Sequence, residues 1–332
     1  MAYAPDQLLT RLLKEVSRSF YLTLRILPRK VRPQIGLAYL LARTTDTIAD
    51  TQLIPVEQRL DALQTLREHL SGRRSGSLDL GEVASRQGSA AERTLLENCA
   101  GSIGLLDTLS AADRKLVVEV LITITSGQEL DLQRFNGGSA EHIFSLRTDG
   151  ELDDYTFRVA GCVGDFWTRI CRSNLFPQAQ VNEPLLIENG VRFGKGLQLV
   201  NILRDIPADL RQGRCYLPEE KLIALGLSPK DLLLSAKESR LRPLYNSYLD
   251  RAEAHLRAGW TYTTSLPRSC ARLRLACAWP ILIGLETIRL LRVANILDAQ
   301  QKIKVPRGKL RQLILRSVFL YPWRRTWDQL VR

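Results

Sequence analysis

Apolar residues along this chain recur at steps of three and four, and only rarely at steps of two. Leu8, Leu12, Leu13 and Val16 share one helical face, as do Ile35, Leu37, Leu40 and Leu41. Alternating strand patterns closed by tight turns are almost absent. Leu116 to Thr125 carries β-branched residues that would suit a strand. Its continuation through Gly127 to Phe135, and the lack of partner strands, predict a buried helix instead. Ser71 to Ala90, with four glycines and mixed charge, reads as a long surface loop. Asn136-Gly137-Gly138-Ser139 breaks the next helix, and Pro177 to Pro184 forms another connection. None of these is a domain-sized linker. The pattern predicts an all-α fold, one domain over residues 1–332 with helices packed around a central cavity, and a basic amphipathic segment at 306–332.

Two segments carry chemistry. In Tyr39-Leu-Leu-Ala-Arg43-Thr-Thr-Asp46-Thr-Ile-Ala-Asp50, steps of four, three and four place Tyr39, Arg43, Asp46 and Asp50 along one face. In Gln198-Leu-Val-Asn201-Ile-Leu-Arg204-Asp205-Ile-Pro-Ala-Asp209, Gln198, Asn201, Asp205 and Asp209 do the same between apolar flanks. Proline inside a helix removes a donor and tends to kink it, so Pro207 predicts a bend before Asp209. One carboxylate pair on a helix is ordinarily a solvated face. A second pair at the same spacing, each with its arginine, makes a reasonable diphosphate clamp. Mg²⁺ favours a few carboxylates together with substrate phosphates, and arginine suits the remaining anionic oxygens.

Charge and composition narrow the reading further. The chain has 332 residues and a formal charge of +12, and 45% of it is hydrophobic, ordinary for a folded protein. Residues 301–332 hold nine Lys or Arg against one acid, leaving only +4 elsewhere. Such a basic end suits an anionic surface. Nucleic acid is excluded as a partner, because basic and aromatic residues are not interleaved along a groove-sized surface. Six cysteines without a Cys-x-x-Cys pair predict reduced, buried thiols in a cytoplasmic protein, and three isolated histidines offer neither a zinc site nor a triad. Asp6, Arg11 and Lys14 interrupt any signal-peptide core. The longest apolar run, Ala276 to Leu285, is about half of what a membrane-spanning helix needs.

Four blocks together resemble the squalene and phytoene synthase family. They are Ser17-Arg-Ser-Phe20, Arg43-Thr-Thr-Asp46-Thr-Ile-Ala-Asp50, Tyr155-Thr-Phe-Arg-Val159-Ala-Gly-Cys-Val-Gly164 and Asn201-Ile-Leu-Arg-Asp205-Ile-Pro-Ala-Asp209. The last continues into the family-like Arg211-Gln-Gly-Arg-Cys-Tyr-Leu-Pro218. The resemblance runs from about residue 10 to 310 and implies an isoprenoid synthase fold. It implies that Asp46, Asp50, Asp205 and Asp209 hold magnesium, and that Arg18, Arg43 and Arg204 contact diphosphate. Ser17, Ser19, Phe20, Tyr39, Gln198 and Asn201 would line the substrate site. Tyr155 would act beside the ionising diphosphate. Val159, Ala160, Gly161 and Gly164 would let a helix approach the prenyl chain.

Lys302-Ile-Lys304-Val-Pro-Arg307-Gly-Lys309 resembles the basic segment with which the squalene branch of the family holds NADPH phosphates, implicating Lys304 and Arg307. Cys277-Ala-Trp-Pro280 also resembles that branch. Two departures are Ala49, where a glutamate is common, and Pro306, where an arginine is common. The implied reaction is a magnesium-dependent prenyl transfer. It joins two farnesyl diphosphates through presqualene diphosphate and reduces the intermediate with NADPH to squalene. The released diphosphate, assisted by Tyr155, would accept the proton. Phytoene, dehydrosqualene and presqualene diphosphate synthesis remain alternatives, as does a catalytically silent helical assembly factor. The basic, aromatic-rich end from Pro306 to Arg332 implies peripheral attachment to an anionic membrane surface, in two short pieces because Pro322 interrupts it.

Overall fold

The computed structural model describes every residue except 1, 2, 5, 6, 18–20, 52, 77 and 332. The chain divides by its packing into two compact units, residues 1–133 with 166–178 and residues 134–165 with 179–332.

In the first unit, α1 (Arg32–Asp50) follows Val31 with Pro33 in its first turn, where a missing N–H costs no helical bond. Its apolar face of Ile35, Leu37, Leu40, Leu41 and Ile48 is buried throughout. Also in this unit are α2 (Val56–Leu70), α3 (Ala90–Glu97) and most of α4 (Ala111–Arg134). The ambiguous Leu116 to Thr125 stretch lies inside α4, with Val117 and Leu121 fully buried. The predicted loop from Ser71 to Ala90 holds a short helix, Gly81–Ser85, which begins where Asp79 accepts a hydrogen bond from the Gly81 N–H at 2.7 Å.

The second unit is built around α7 (Glu183–Arg211) and includes α5 (Asp149–Thr156); α6 (Cys162–Leu175) begins in this unit, but from Phe166 onward it belongs to the first. Later come α8 (Glu238–Ser265), α9 (Ala271–Val293), α10 (Arg307–Leu320) and α11 (Arg324–Asp328). Thr148 and Asn182 cap α5 and α7 through their side chains, each accepting an N–H from the third residue on. Two residues of strand, Phe144–Ser145, pair in parallel with Arg214–Cys215. The pair forms where Gly213, at φ 75°, turns the chain out of α7 against Gly138 and Ser139.

Pro207 does not end α7. The proline deprives the Leu203 carbonyl of its usual partner, and the buried Tyr245 hydroxyl of α8 donates to that oxygen at 3.1 Å instead. α7 runs on through Pro207 and Asp209 to Arg211.

The basic end is corrected in part. Pro322 does separate two helices, as expected, but Trp327 belongs to the core rather than to the surface. Its ring is 1% exposed, stacks on Trp260 at 4.8 Å and lies 4.7 Å beneath the Arg274 guanidinium. Its Nε1 donates to the Ser317 carbonyl at 2.9 Å, while Trp279 Nε1 donates to the Ser317 hydroxyl at 3.0 Å. The opposite face of α10 and its following turn leaves Leu315, Val318, Phe319 and Trp323 exposed. All six cysteines are free, five of them buried. Among the described residues, no helix is long and apolar enough to cross a membrane.

Candidate functional site

The acidic face of α1 is held from three neighbouring segments of its own unit. Arg59 of α2, 8% exposed, donates from Nη1 to the Ala49 carbonyl at 2.8 Å and so secures the last turn that carries Asp50. Ala49 is itself buried. Arg43 donates from Nη2 to Glu92 of α3 at 2.8 Å. Its other nitrogen stays 3.9 Å from Asp46 Oδ2, although the two residues stand one turn apart. Gln128 of α4 donates from Nε2 to Asp46 Oδ1.

Asp46 is surrounded by protein, yet 47% of its side-chain surface stays open. Burial, and then the nearby Asp50 carboxylate, push its pKa up to about 6, against the pull of Arg43 and of the Gln128 hydrogen bond. The open side limits how much ionisation costs there. A cation bound at that open side would favour the ionised form of Asp46. Tyr39 is half-buried on the same helix and Asp50 is exposed.

The acidic face of α7 is arranged differently. Arg204 forks onto its neighbour Asp205, with Nε to Oδ1 at 2.8 Å and Nη2 to Oδ2 at 2.6 Å. That hydrogen-bonded fork raises the Arg204 pKa above its ordinary value, with burial acting against it. Gln198, Asp205 and Asp209 are half-buried and Asn201 is exposed, all on the one continuous helix.

Tyr155 of α5 is 8% exposed and stacks on Tyr216 at 4.9 Å, with 22° between the rings. Its hydroxyl donates to the Tyr216 oxygen across 3.4 Å, a long contact. Phe135 meets Tyr216 edge-on at 5.2 Å. After α5 the chain makes a π-helical turn, Phe157–Gly161, that carries Val159, Ala160 and Gly161. Such turns often mark functional positions. The small residues meet α7: a Cβ on Gly164 would collide with the Gly190 carbonyl, and one on Gly194 with the Ala160 carbonyl. The two backbones thus touch, and any larger side chain would force them apart.

Ser17 is buried, and its hydroxyl donates to the Leu13 carbonyl at the end of the helix Leu13–Val16. Arg18, Ser19 and Phe20 lie outside the described residues. Lys304 and Arg307 are exposed on the segment that enters α10. Pro306 directly precedes that helix, and its carbonyl accepts from the Leu310 N–H at 3.0 Å, so the second departure starts a helix. Gln128, Glu92 and Tyr216 have partners at the site that motif reading did not assign. For Gln128 the available signal was a long polar side chain inside a helix read as buried.

The donor set suits magnesium. Among the described residues, no three His, Cys, Asp or Glu side chains stand together closely enough to hold a metal by themselves. Each face instead offers a pair of carboxylates one turn apart. Magnesium uses one or two carboxylates, completes its shell with water and phosphate oxygens, and needs no all-protein cage.

The sequence pattern of the family described as "Squalene/phytoene synthase" matches residues 13–309. A presqualene diphosphate synthase of Rhodopseudomonas palustris is 31% identical over 252 residues, 75% of this chain and 76% of that protein. A squalene synthase of Schizosaccharomyces pombe is 26% identical over 317 residues, 93% of this chain and 64% of that protein. The chain spans only 38% of a bifunctional lycopene cyclase/phytoene synthase of Phaeosphaeria nodorum, to which it is 29% identical over 246 residues, 72% of this chain. Among solved structures, TcSQS in complex with the ligand E5700 superposes with a TM-score of 0.77 at 23% identity, covering 94% of this chain and 85% of that one. The all-α architecture is thus of the squalene-synthase type of isoprenoid synthase fold.

Proposed function

The chain belongs to the squalene/phytoene synthase family, and on that premise we propose that it is a magnesium-dependent prenyltransferase joining two farnesyl diphosphates head to head. The observation that carries this reading is the repetition of one device. Two helices each present an Asp-x-x-x-Asp face with an arginine beside it, and on the first face burial and the neighbouring Asp50 raise the pKa of Asp46. Asp46, Asp50, Asp205 and Asp209 would hold magnesium, which when bound neutralises charge developing on the departing diphosphate. Arg43 and Arg204 would turn toward phosphate oxygens, and bidentate recognition suits the Arg204 fork. The Tyr155 hydroxyl, fixed by stacking on Tyr216, would donate toward the leaving group. Apolar side chains lining the prenyl chains would be needed to keep water from the cationic intermediate. We retain residues 1–332 as one functional domain, because each compact unit carries only one of the two faces.

We further propose that the product is squalene, formed through presqualene diphosphate and reduced by NADPH whose phosphates meet Lys304 and Arg307. The basic stretch and the Cys277–Pro280 block support this. A second reading ends at presqualene diphosphate, and the R. palustris relative favours it. Purified protein incubated with farnesyl diphosphate and Mg²⁺, with and without NADPH, separates them. Squalene only with NADPH supports the first reading, and a product unchanged by NADPH supports the second. Efficient use of geranylgeranyl diphosphate would point to phytoene.

Peripheral attachment to an anionic membrane is part of the proposal. Leu315 (68%), Phe319 (71%) and Trp323 (54%) are exposed, and the Phe319 and Trp323 rings lie 5.6 Å apart. Arg311, Arg316, Arg324 and Arg325 are exposed around them. Aromatic groups enter the headgroup boundary while arginines meet lipid phosphate. Because Trp327 is core, truncation after Gly308 would damage the fold. The double substitution Phe319→Ser with Trp323→Ser is the cleaner test, and it should abolish salt-sensitive binding to phosphatidylglycerol vesicles. Wild-type protein that ignores such vesicles at low salt would sink the idea.

A further inference from the structure

Arg43 and Asp46 stand three residues apart on α1 and carry opposite charges, the arrangement in which a helix surface ordinarily closes an ion pair. Here the pair is long, with Nη1 and Oδ2 3.9 Å apart. Two neighbouring helices of the same unit hold it at that length from opposite ends. Glu92 of α3 takes the arginine at 2.8 Å, and Gln128 of α4 takes Asp46 Oδ1. On α7, Arg204 closes fully on Asp205.

Gln128 makes this contact at a disadvantage to the fold. It is 7% exposed, and its Oε1 is buried with no hydrogen-bond partner among the described residues. An unmet buried acceptor destabilises, and an apolar side chain of similar volume would avoid it. Stability therefore does not explain a glutamine at this position. Its one polar partner does.

We propose that Gln128 is a positioning residue that acts through Asp46, opposed by Glu92 acting through Arg43. By occupying Oδ1, the amide fixes the carboxylate with Oδ2 3.9 Å from Arg43 Nη1, too far for a hydrogen bond. Asp46 then remains available to a divalent cation, and Arg43 remains available to a diphosphate oxygen. The inference rests on the reading of α1 as a cation face and adds the pair of side chains that keeps it open.

The test uses the full chain, Mn²⁺ as a spectroscopic substitute for Mg²⁺, and inorganic diphosphate. Wild type, Gln128→Leu, Gln128→Met and Asp46→Asn are titrated with Mn²⁺ by electron paramagnetic resonance, and their thermal midpoints are recorded in EDTA. The expected result for both Gln128 variants is Mn²⁺ affinity lowered about tenfold, the usual effect of losing a hydrogen bond to a ligand. Their midpoint should be equal to or higher than wild type's. A purely structural role would move the two readouts together: lower midpoint with weaker binding in both variants overturns the proposal. Unchanged Mn²⁺ affinity in both variants also overturns it. If wild type binds Mn²⁺ no better than Asp46→Asn, the cation-face reading itself fails and the inference falls with it.

Discussion

The two acidic helices share a spacing and differ in how their charges are settled. On α1, the arginine is drawn off by Glu92 and the carboxylate by Gln128, leaving Asp46 with a raised pKa and an open side. On α7, arginine and aspartate neutralise each other in a fork, and the helix continues past a proline, where Tyr245 takes over the freed carbonyl. Under the proposed function, a cation would meet a half-open Asp46 on the first face, whereas on the second it would have to open the Arg204–Asp205 pair. Identical motif spacing therefore does not imply identical readiness, since the difference comes from side chains outside the motif.

The largest expected effect tests what the faces share. Asp46→Asn and Asp205→Asn should each lower product formation by at least about a hundredfold, as loss of a principal electrostatic group does. Helical circular dichroism should be unchanged. Wild-type turnover by either variant at ordinary Mg²⁺ would remove that face from the chemistry.

A smaller effect tests how they differ. Arg204→Lys should reduce kcat/KM about tenfold, because a lysine cannot replace a forked guanidinium. Glu92→Gln should cost only a few-fold, since it loosens Arg43 without removing it. A larger loss from Glu92→Gln than from Arg204→Lys would reverse the contrast.

Stability offers a finer probe of α7. Tyr245→Phe leaves the Leu203 carbonyl unpaired and should destabilise by about 1–3 kcal/mol. In a Pro207→Ala background, whose new N–H can serve that carbonyl, the same change should cost much less. Denaturant unfolding of the four proteins checks this, and simple additivity would refute the compensation.

The smallest effect concerns pH and the unit that carries α7. Burial, reinforced by Arg192, Arg251 and Lys195, pushes the His255 pKa down to about 4, below its ordinary 6.5. The folded state thus resists a proton that the unfolded chain accepts. No stability is lost above pH 6.5, and it declines as pH falls from 6.5 toward 4, by about 1–3 kcal/mol. His255→Gln should flatten that limb. An unchanged slope would show that His255 is not its source.

Much of this was legible in the sequence. Three- and four-residue periodicity placed α1 and the long buried α4, because a helix face needs only local spacing to declare itself. The Asp-x-x-x-Asp faces were legible for the same reason, and the joint order of four motifs carried the family. Less visible were contacts across sequence distance. Tyr216 lies 61 residues from Tyr155, and Gln128 lies 82 from Asp46. No periodicity links either pair. Trp327 was misjudged because a tryptophan among arginines has the same composition whether it meets lipid or the Trp260 ring.

By itself, then, the sequence determined the helical class, the two carboxylate faces and their arginines, since each follows from residue type and helical pitch. Tertiary structure alone decided which arginine grips its aspartate closely, which carbonyl freed by proline finds a new partner and which half of the basic end is core. Those outcomes depend on which side chain from another helix reaches a given oxygen or ring. Hydrogen bonds and stacking act over a few ångströms, a distance that only the folded chain defines.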